Sequence, residues 1–387
     1  MRILRYVKSV IIDMATMNPF LIVGYNGPEY FCDREAETQT LISALVNGRN
    51  VTLISPRRMG KTGLIKNVFY RLSQSKESTV CIYLDIFSTQ SLQDFVSMLG
   101  KAVLGRFDTF SQKAIKSLMS FFKSCRPIIS VDETTGTPTV SLDFVPERSS
   151  ETLKEIFEYL SKSEHECFIA IDEFQQITEY PEKGVEGLLR SYIQFLPNVH
   201  FIFSGSKRHL MESIFFSAKR PFYQSTQKMF LTTISKDSYF KFAQNLFAEA
   251  GKELDEKVFE SIYNKVSGHT WYVQYILNRM YSLTIQSPTS VDLNSVMENI
   301  VKEEEYLYQT YFDLLTAGQI RLLTAIAKEG NVTEINSSAF IKKYNLKAAS
   351  SVNAALKSLK EKDFILKDTN GYSVSDRFFA LWLKGLP

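Results

Sequence analysis

The chain has 387 residues, of which 44% are hydrophobic and 22% are charged, and its formal net charge is +3. This length predicts two or three domains of roughly 150 residues each, and the composition is ordinary for a soluble globular protein. The charge is too small to indicate a nucleic-acid partner by itself. The four scattered cysteines form no C-x-x-C pair, which disfavours a disulfide framework or a zinc site.

The first 20 residues are basic with a short apolar patch, but they lack the long apolar region and the small-residue cleavage site of a signal peptide. No run approaches about 18 apolar residues, so neither a transmembrane helix nor a membrane partner is expected. The expected location is the cytoplasm. A translation start at Met17 stays open.

Residues 18–35 are predicted to be an extended lead-in to the first helix. Asp33 is expected to cap that helix, which should run from about Arg34 to Leu45 and end at Gly48.

The next segment, VTLISPRRMGKTGLIK (51–66), predicts a short strand, a tight turn and a helix that starts near Gly63. It matches the phosphate-binding pattern G-x-x-x-x-G-K-[ST] with Ser55 in place of the first glycine. A surface turn that contains Gly-Lys-Thr by chance is the weaker alternative, because a strand precedes this turn and a helix follows it.

Each residue type in this turn suits phosphate binding. Backbone N–H groups and the helix dipole favour an anion at a helix N-terminus, and Gly60 lets the backbone approach it closely. Lys61 would reach the β- and γ-phosphates of a nucleotide, and the Thr62 hydroxyl would bind Mg²⁺. The candidate nucleotide-binding residues here are Ser55, Pro56, Arg57, Arg58, Met59, Gly60, Lys61, Thr62 and Gly63.

A second apolar run, residues 79–86, predicts a buried parallel strand. Helical spacing follows over residues 91–106 and 109–124. Two alternating runs around a Thr-Gly-Thr-Pro turn then predict a β-hairpin, before a helix over residues 149–162.

Two carboxylates follow a third apolar run. Residues 167–171 predict a buried strand, and Asp172 and Glu173 come directly after it. Ligands of open α/β sheets bind at that end of the strands. This is the pattern of a Walker B strand, in which Asp172 would hold Mg²⁺ and Glu173 would act as general base toward water. A solvated acidic turn is the alternative.

The strand predicted over residues 198–203 ends at Ser204-Gly205-Ser206. Ser204 or Ser206 could sense the γ-phosphate, although a structural role in the turn is equally compatible. Arg220, just before Pro221, could reach a nucleotide in its own chain or in a neighbouring subunit. A solvated arginine is the commoner interpretation; Arg57, Arg58 and Arg190 are lesser rivals for that role.

After a strand predicted over residues 229–234, the pattern becomes helical to about residue 315, which suggests a helical lid. Residues 318–387 then predict three helices and a hairpin, the order of a winged helix-turn-helix, with eleven Lys and Arg against six Asp and Glu, a net of +5. Its third helix could present Ser350, Ser351, Asn353 and Lys357 to DNA. Winged helices also serve as protein-contact modules, so DNA and a protein partner both stay open.

With both motifs and the helical tail present, the chain resembles a P-loop ATPase of the AAA+ superclass. It more closely resembles the prokaryotic "archaeal ATPase" family within the STAND group of signalling ATPases. The resemblance covers roughly residues 20 to 387. The segments that carry it are FCDREAE (31–37), SPRRMGKT (55–62), IAIDEF (169–174), FSGS (203–206), GHT (268–270) and SDRFFALWL (375–383).

The resemblance implies an α/β fold: a P-loop parallel sheet flanked by helices over residues 1–234, with a helix and hairpin insert at 107–150. A helical lid at 235–315 and a winged helix at 316–387 would follow. It also implies adenine contacts from Tyr30, Phe31 and Arg34. Thr270 stands where the family's lid motif, Gly-x-Pro, has its proline, which weakens nucleotide sensing through the lid.

The leading hypothesis is therefore an ATP- and Mg²⁺-dependent conformational switch with slow hydrolysis, in which Glu173, Lys61 and Arg220 are the catalytic candidates. The alternative is a DNA-binding regulator whose ATPase site is vestigial or only senses nucleotide. A scaffold that forms homo-oligomers on binding ATP and recruits a protein partner is a third possibility.

Overall fold

A computed structural model of the chain describes residues 18–75, 78–107, 123–131, 138–144, 146–286, 292–368 and 371–386. These residues form two compact units. We call residues 23–239 the core unit, and residues 18–22 with 240–386 the C-terminal unit. The three-domain division drawn from the sequence stays a prediction.

The core unit is built on five parallel strands, which confirms the predicted α/β class. They are β1 (Val51–Ile54), β2 (Thr79–Asp85), β5 (Glu166–Asp172), β6 (Val199–Gly205) and β7 (Gln227–Phe230), in the spatial order β2-β5-β6-β1-β7. The last strand was predicted wrongly at residues 229–234. It begins two residues earlier and ends at Phe230, where its pairing with Ile54 at the end of β1 also ends.

The apolar runs form strands because both faces of the sheet are covered. Successive side chains of a strand point to opposite faces. Ile169 and Ile171 of β5 accordingly join one buried cluster, and Phe168 and Ala170 of the same strand join the other. The helices that cover the sheet are α1 (Glu35–Val46), α2 (Lys61–Ser75), α3 (Leu92–Phe107), α4 (Ser149–Ser161), α5 (Val185–Ile193) and α6 (Arg208–Phe216).

The predicted hairpin is confirmed as the antiparallel pair β3 (Cys125–Val131) and β4 (Pro138–Phe144). Its turn, and nearly all of the helix predicted over residues 109–124, lie outside the described residues. The predicted cap of α1 is wrong. Asp33 and Arg34 both have positive φ, 53° and 67°, so the helix begins at Glu35 with no side-chain cap.

The C-terminal unit confirms the winged-helix order. After the connecting helix α7 (Lys236–Glu249), it contains α8 (Glu256–Lys265), α9 (Thr270–Gln286), α10 (Leu293–Glu303), α11 (Glu305–Asp313), α12 (Ala317–Glu329), α13 (Ser338–Lys343), α14 (Ala349–Glu361), β8 (Ile365–Asp368), β9 (Gly371–Val374) and α15 (Arg377–Gly385). Strands β8 and β9 pair antiparallel, and Val332 adds a bridge to Tyr372 of β9. No helix in the described part of the chain is long and apolar enough to cross a membrane.

Residues 18–22 belong to the C-terminal unit, although the sequence grouped them with the core. The Asn18 amide donates to the Asn278 carbonyl at 2.8 Å. The Phe20 ring is fully buried, with its centroid 5.4 Å from that of Phe247 and 5.7 Å from that of Tyr281. Aromatic burial of this size is a large packing contribution, so this short segment is part of the hydrophobic core of that unit.

Candidate active site

The strand order brings the predicted site residues to one edge of the sheet. β6 lies between β1 and β5, and the paired residues Ile54 with Gly205 and Ile171 with Phe203 align the carboxyl ends of the three strands. The loop after β1, the carboxylates after β5 and the serine turn at the end of β6 therefore converge, as the sequence predicted.

The phosphate loop (residues 55–62) explains how Ser55 replaces the expected glycine. Ser55 is buried and has no positive φ; its N–H donates to the Gly205 carbonyl at 3.3 Å, so it prolongs the pairing of β1 with β6. Its hydroxyl donates to the Pro56 carbonyl at 3.0 Å. The left-handed turns fall instead on Arg58 and Gly60, with φ of 67° and 87°. A glycine is thus not required at position 55.

Lys61 lies at the start of α2 with 7% of its surface exposed. Its Nζ is 2.8 Å from Asp172 Oδ1 and 3.0 Å from Glu173 Oε1. One ammonium group thus lies against two carboxylates, of which Asp172 is buried and Glu173 partly buried, and it compensates part of their charge.

Asp172 is the centre of a hydroxyl network. It accepts hydrogen bonds from Thr62 Oγ1 at 3.2 Å, from the Tyr83 hydroxyl at 2.7 Å and from Ser204 Oγ at 2.7 Å. Burial acts to raise the pKa of Asp172, but the Lys61 charge and the hydrogen bonds from Lys61, Ser204 and Tyr83 outweigh it, so the pKa lies below its ordinary value. Asp172 is therefore ionised at neutral pH.

Glu173 has a left-handed backbone, with φ of 55° and ψ of 40°. Its Oε2 accepts from Gln175 Nε2 at 2.5 Å and from Ser206 Oγ at 2.7 Å. Burial acts to raise the pKa of Glu173, but Lys61, Ser206 and Gln175 together hold it below its ordinary value. An ionised carboxylate in this position can accept a proton.

Sequence reasoning missed Tyr83 and Gln175 and gave Ser206 only as an alternative to Ser204. Tyr83 reaches Asp172 because β2 pairs with β5, and that pairing could not be derived from the sequence. Gln175 lies two residues after Glu173 in a 3-10 helix (Phe174–Glu179), where its polar type and proximity were a usable signal.

The three residues predicted to contact adenine, Tyr30, Phe31 and Arg34, have different surroundings. The Arg34 guanidinium is 4% exposed and donates to the carbonyls of Met59 at 3.3 Å and Thr232 at 2.6 Å, so it braces the phosphate loop. Tyr30 ends a 3-10 helix, and Phe31 packs against the start of α2, where a methyl group placed on Gly63 would lie 3.2 Å from its ring. Adenine contact by these three residues stays a prediction.

Two of the four candidate arginines have partners within the core unit. The Arg57 guanidinium lies 5.5 Å from the centre of the Phe87 ring. Arg220 forms an ion pair with Glu186 of its own chain. A role of Arg220 at a nucleotide therefore requires this ion pair to open, and it stays a prediction.

The side chains fit ATP and Mg²⁺ chemically. The Thr62 hydroxyl and the Asp172 carboxylate are oxygen ligands of the kind that Mg²⁺ prefers, and they are in contact. Lys61 and the N-terminus of the 15-residue helix α2 suit phosphate groups. No group of three or more His, Cys, Asp or Glu side chains that could hold a metal was found among the described residues.

Comparisons with known proteins agree with this geometry. Residues 31–276 match the family model described as an ATPase domain predominantly from Archaea, and residues 306–385 match a probable winged helix domain. No curated protein matched the chain.

Solved structures share the fold at low identity. The Walker-type ATPase PABY2304 of Pyrococcus abyssi has a TM-score of 0.63 at 19% identity, over 95% of this chain and 99% of that one. The Aeropyrum pernix ORC2 protein, solved as ADPNP-ADP complexes, has a TM-score of 0.60 at 14% identity, over 95% of this chain and 96% of that one. The Aeropyrum pernix ORC1 protein in complex with DNA has a TM-score of 0.51 at 14% identity, over 92% of this chain and 93% of that one.

Proposed function

Because the chain belongs to the family of ATPase domains found predominantly in Archaea, its model spanning more than half of the sequence, we propose that the core unit binds ATP with Mg²⁺ and hydrolyses it slowly. The observation that carries the proposal is Lys61, held at the N-terminus of α2 between the ionised carboxylates of Asp172 and Glu173. The solved ORC2 structure contains nucleotide, which supports the same choice of ligand.

In the proposed reaction, Lys61 leaves the two carboxylates and binds the β- and γ-phosphates. Mg²⁺, when bound, would neutralise charge on the phosphates, and Thr62 and Asp172 would hold it. Glu173 orients a water molecule for attack on the γ-phosphorus and accepts its proton as the bond to ADP breaks. Removing Lys61 from Glu173 raises the pKa of that carboxylate, which strengthens it as a base.

The same exchange supplies a switch. With no phosphate bound, Lys61 links α2 to the end of β5; with phosphate bound, its charge turns to the ligand, and Ser204 and Ser206 report the change through Asp172 and Glu173. Because the ion pair must break on binding and re-form after release, we propose that turnover is slow and acts as a conformational switch. Homo-oligomerisation on ATP binding, with Arg220 reaching a neighbouring site, would be an extension of it.

The test is phosphate release by the purified full chain with ATP. We expect turnover to require Mg²⁺ and to fall in Thr62→Ala, because that variant loses one predicted metal ligand. Thr40→Ala, on the exposed surface of α1, is the matched control. The same rate with excess EDTA as with Mg²⁺ would contradict the proposal.

A second candidate function is DNA binding by the C-terminal unit. Ser350, Ser351, Asn353 and Lys357 of α14 are all exposed, while its Val352 and Leu356 are buried. The net charge of +5 over residues 318–387 favours phosphate contacts. The solved ORC1 relative is in complex with DNA, which supports the proposal without naming a sequence.

Lys357→Ala should weaken DNA binding and reduce the salt dependence of log K by about one unit, because one phosphate contact is lost. Binding can be measured by fluorescence anisotropy of a labelled duplex over a salt series. Lys257→Ala, an exposed lysine of α8, is the matched control. Absence of wild-type binding at low salt would argue for a protein partner instead.

A further inference from the structure

Glu173 is held asymmetrically by its neighbours. Its Oε2 has two short donors, Gln175 Nε2 at 2.5 Å and Ser206 Oγ at 2.7 Å, and the Ser206 N–H lies 3.4 Å away. Its Oε1 contacts Lys61 Nζ at 3.0 Å. The two oxygens of this carboxylate are therefore inequivalent: one is bound to the scaffold and the other to the cation that phosphate would recruit.

We propose that Gln175 is a positioning residue that fixes Oε1 of Glu173 as the proton acceptor. The inference rests on the proposed ATPase function and assigns a role to a side chain outside the motifs. When Lys61 turns to the phosphates, Oε2 keeps its donors and Oε1 loses its partner. Oε1 is then the oxygen free to accept a proton from water.

The Gln175 side chain is well placed to hold this orientation. It is 3% exposed, and its Oε1 has no hydrogen-bond partner within the described part of the chain. Turning the amide over would set that carbonyl oxygen against the Glu173 carboxylate, two acceptors in contact, so the donor must face Glu173. A buried carbonyl without a partner is unfavourable, and its retention here is consistent with a functional demand on the amide group.

Gly205 at the end of β6 makes room for this arrangement. A Cβ placed on Gly205 would lie within van der Waals overlap of its neighbours, 2.6 Å from Met211 Sδ and closer still to Gln175 Oε1. A side chain at position 205 would therefore force Gln175, Met211 or both to move. The glycine between Ser204 and Ser206 thus has a steric reason that is independent of its backbone angles.

Without Gln175, only Ser206 would hold Oε2. The terminal torsion of a glutamate is broad, so the plane of the carboxylate would turn away from the orientation seen here and spend time misaligned. Misplacement of a reacting group by about 1 Å can cost about 100-fold in rate. The loss should fall on kcat, because within the described part of the chain no hydrogen bond joins the Gln175 side chain to the phosphate loop or to Asp172.

The experiment compares Gln175→Met with Gln176→Met in the full chain. Both residues lie in the same 3-10 helix, but the Gln176 side chain donates to the Thr89 carbonyl at 3.1 Å and not to the Glu173 carboxylate. We expect kcat to fall about 10- to 100-fold in Gln175→Met and less than about twofold in Gln176→Met. The dissociation constant for ATP should stay within about twofold of wild type in both. Gly205→Ala should repeat the kcat loss, because its Cβ would lie closest to Gln175 Oε1.

Thermal melting separates positioning from folding. Gln175→Met removes the buried carbonyl that lacks a partner and also the hydrogen bond to Glu173, two opposing effects, so its melting temperature should stay close to that of wild type. In Gln175→Met, a kcat equal to that of Gln176→Met, or a kcat loss accompanied by a melting temperature far below that of wild type, would overturn the inference. Absence of turnover in wild type would instead overturn the proposed function, and this inference with it.

Discussion

Lys61→Ala is expected to weaken ATP binding by about 10- to 150-fold. A hydrogen bond to a charged group is worth roughly 1.5–3 kcal/mol, and Lys61 is the buried cation at the start of α2, beside both carboxylates. Isothermal titration calorimetry of the full chain measures the loss. Arg71→Ala, three turns further along α2 in an exposed pair with Glu35, should bind ATP like wild type.

The same substitution should also destabilise the fold. It leaves the buried Asp172 and the partly buried Glu173 without their cation, and breaking a buried ion pair costs about 3–5 kcal/mol. In wild type both carboxylates have lowered pKa values. They therefore stabilise the fold above their unfolded pKa, and this contribution is lost as the pH falls through the folded values. In Lys61→Ala, burial without the cation raises both pKa values. The difference in free energy of unfolding between wild type and Lys61→Ala should therefore become smaller as the pH falls.

Lys61→Arg separates the loss of ATP affinity from the loss of stability. It keeps a positive charge between the carboxylates, so the core unit should stay folded, yet its planar guanidinium is a poor substitute for the compact ammonium at phosphate. We expect a melting temperature near that of wild type with weakened ATP binding. Wild-type affinity in both Lys61 variants would exclude the assigned site.

Glu173→Gln is expected to lower the rate of ATP hydrolysis by about 10²- to 10⁴-fold while ATP still binds. Glutamine has the same length and can keep a polar contact with Lys61, but it cannot accept a proton from water. Single-turnover phosphate release measures the chemical step directly. Glu179→Gln, at the exposed end of the same 3-10 helix, is the matched control. Unchanged hydrolysis in Glu173→Gln would remove Glu173 from the mechanism.

The sequence was sufficient for the parts of the site that follow strands. A buried apolar run that ends in Asp172 or Ser204 places its last residue at the carboxyl edge of a parallel sheet, whatever the order of the strands. The winged-helix order followed from the same periodicities, and the class of fold was implied by the family resemblance. The distance in sequence between a residue and the end of its strand was therefore enough to predict which sheet edge the residue lies on.

The remainder depends on contacts that no local pattern encodes. Tyr83 reaches Asp172 only because β2 neighbours β5. Arg34 braces the phosphate loop and donates to the Thr232 carbonyl, 198 residues away in sequence, whereas its contact with adenine stays a prediction. The predicted cap at Asp33 failed because two consecutive left-handed residues turn the chain just before α1. Each miss concerns the direction of a side chain or a tight turn.

The placement of Phe20 has a consequence for the order of events during synthesis. Its ring partners Phe247 and Tyr281 are synthesised more than 200 residues later. The Asn278 carbonyl, which accepts from the Asn18 amide, follows it by 260 residues. The core unit is contiguous and can fold as soon as residue 239 is available. The C-terminal unit can complete its fold only after residues 240–386 have been synthesised, and until then residues 18–22 lack their partners in that unit. Contacts of such long range slow folding, so this segment is where a nascent chain would be most exposed to misassembly.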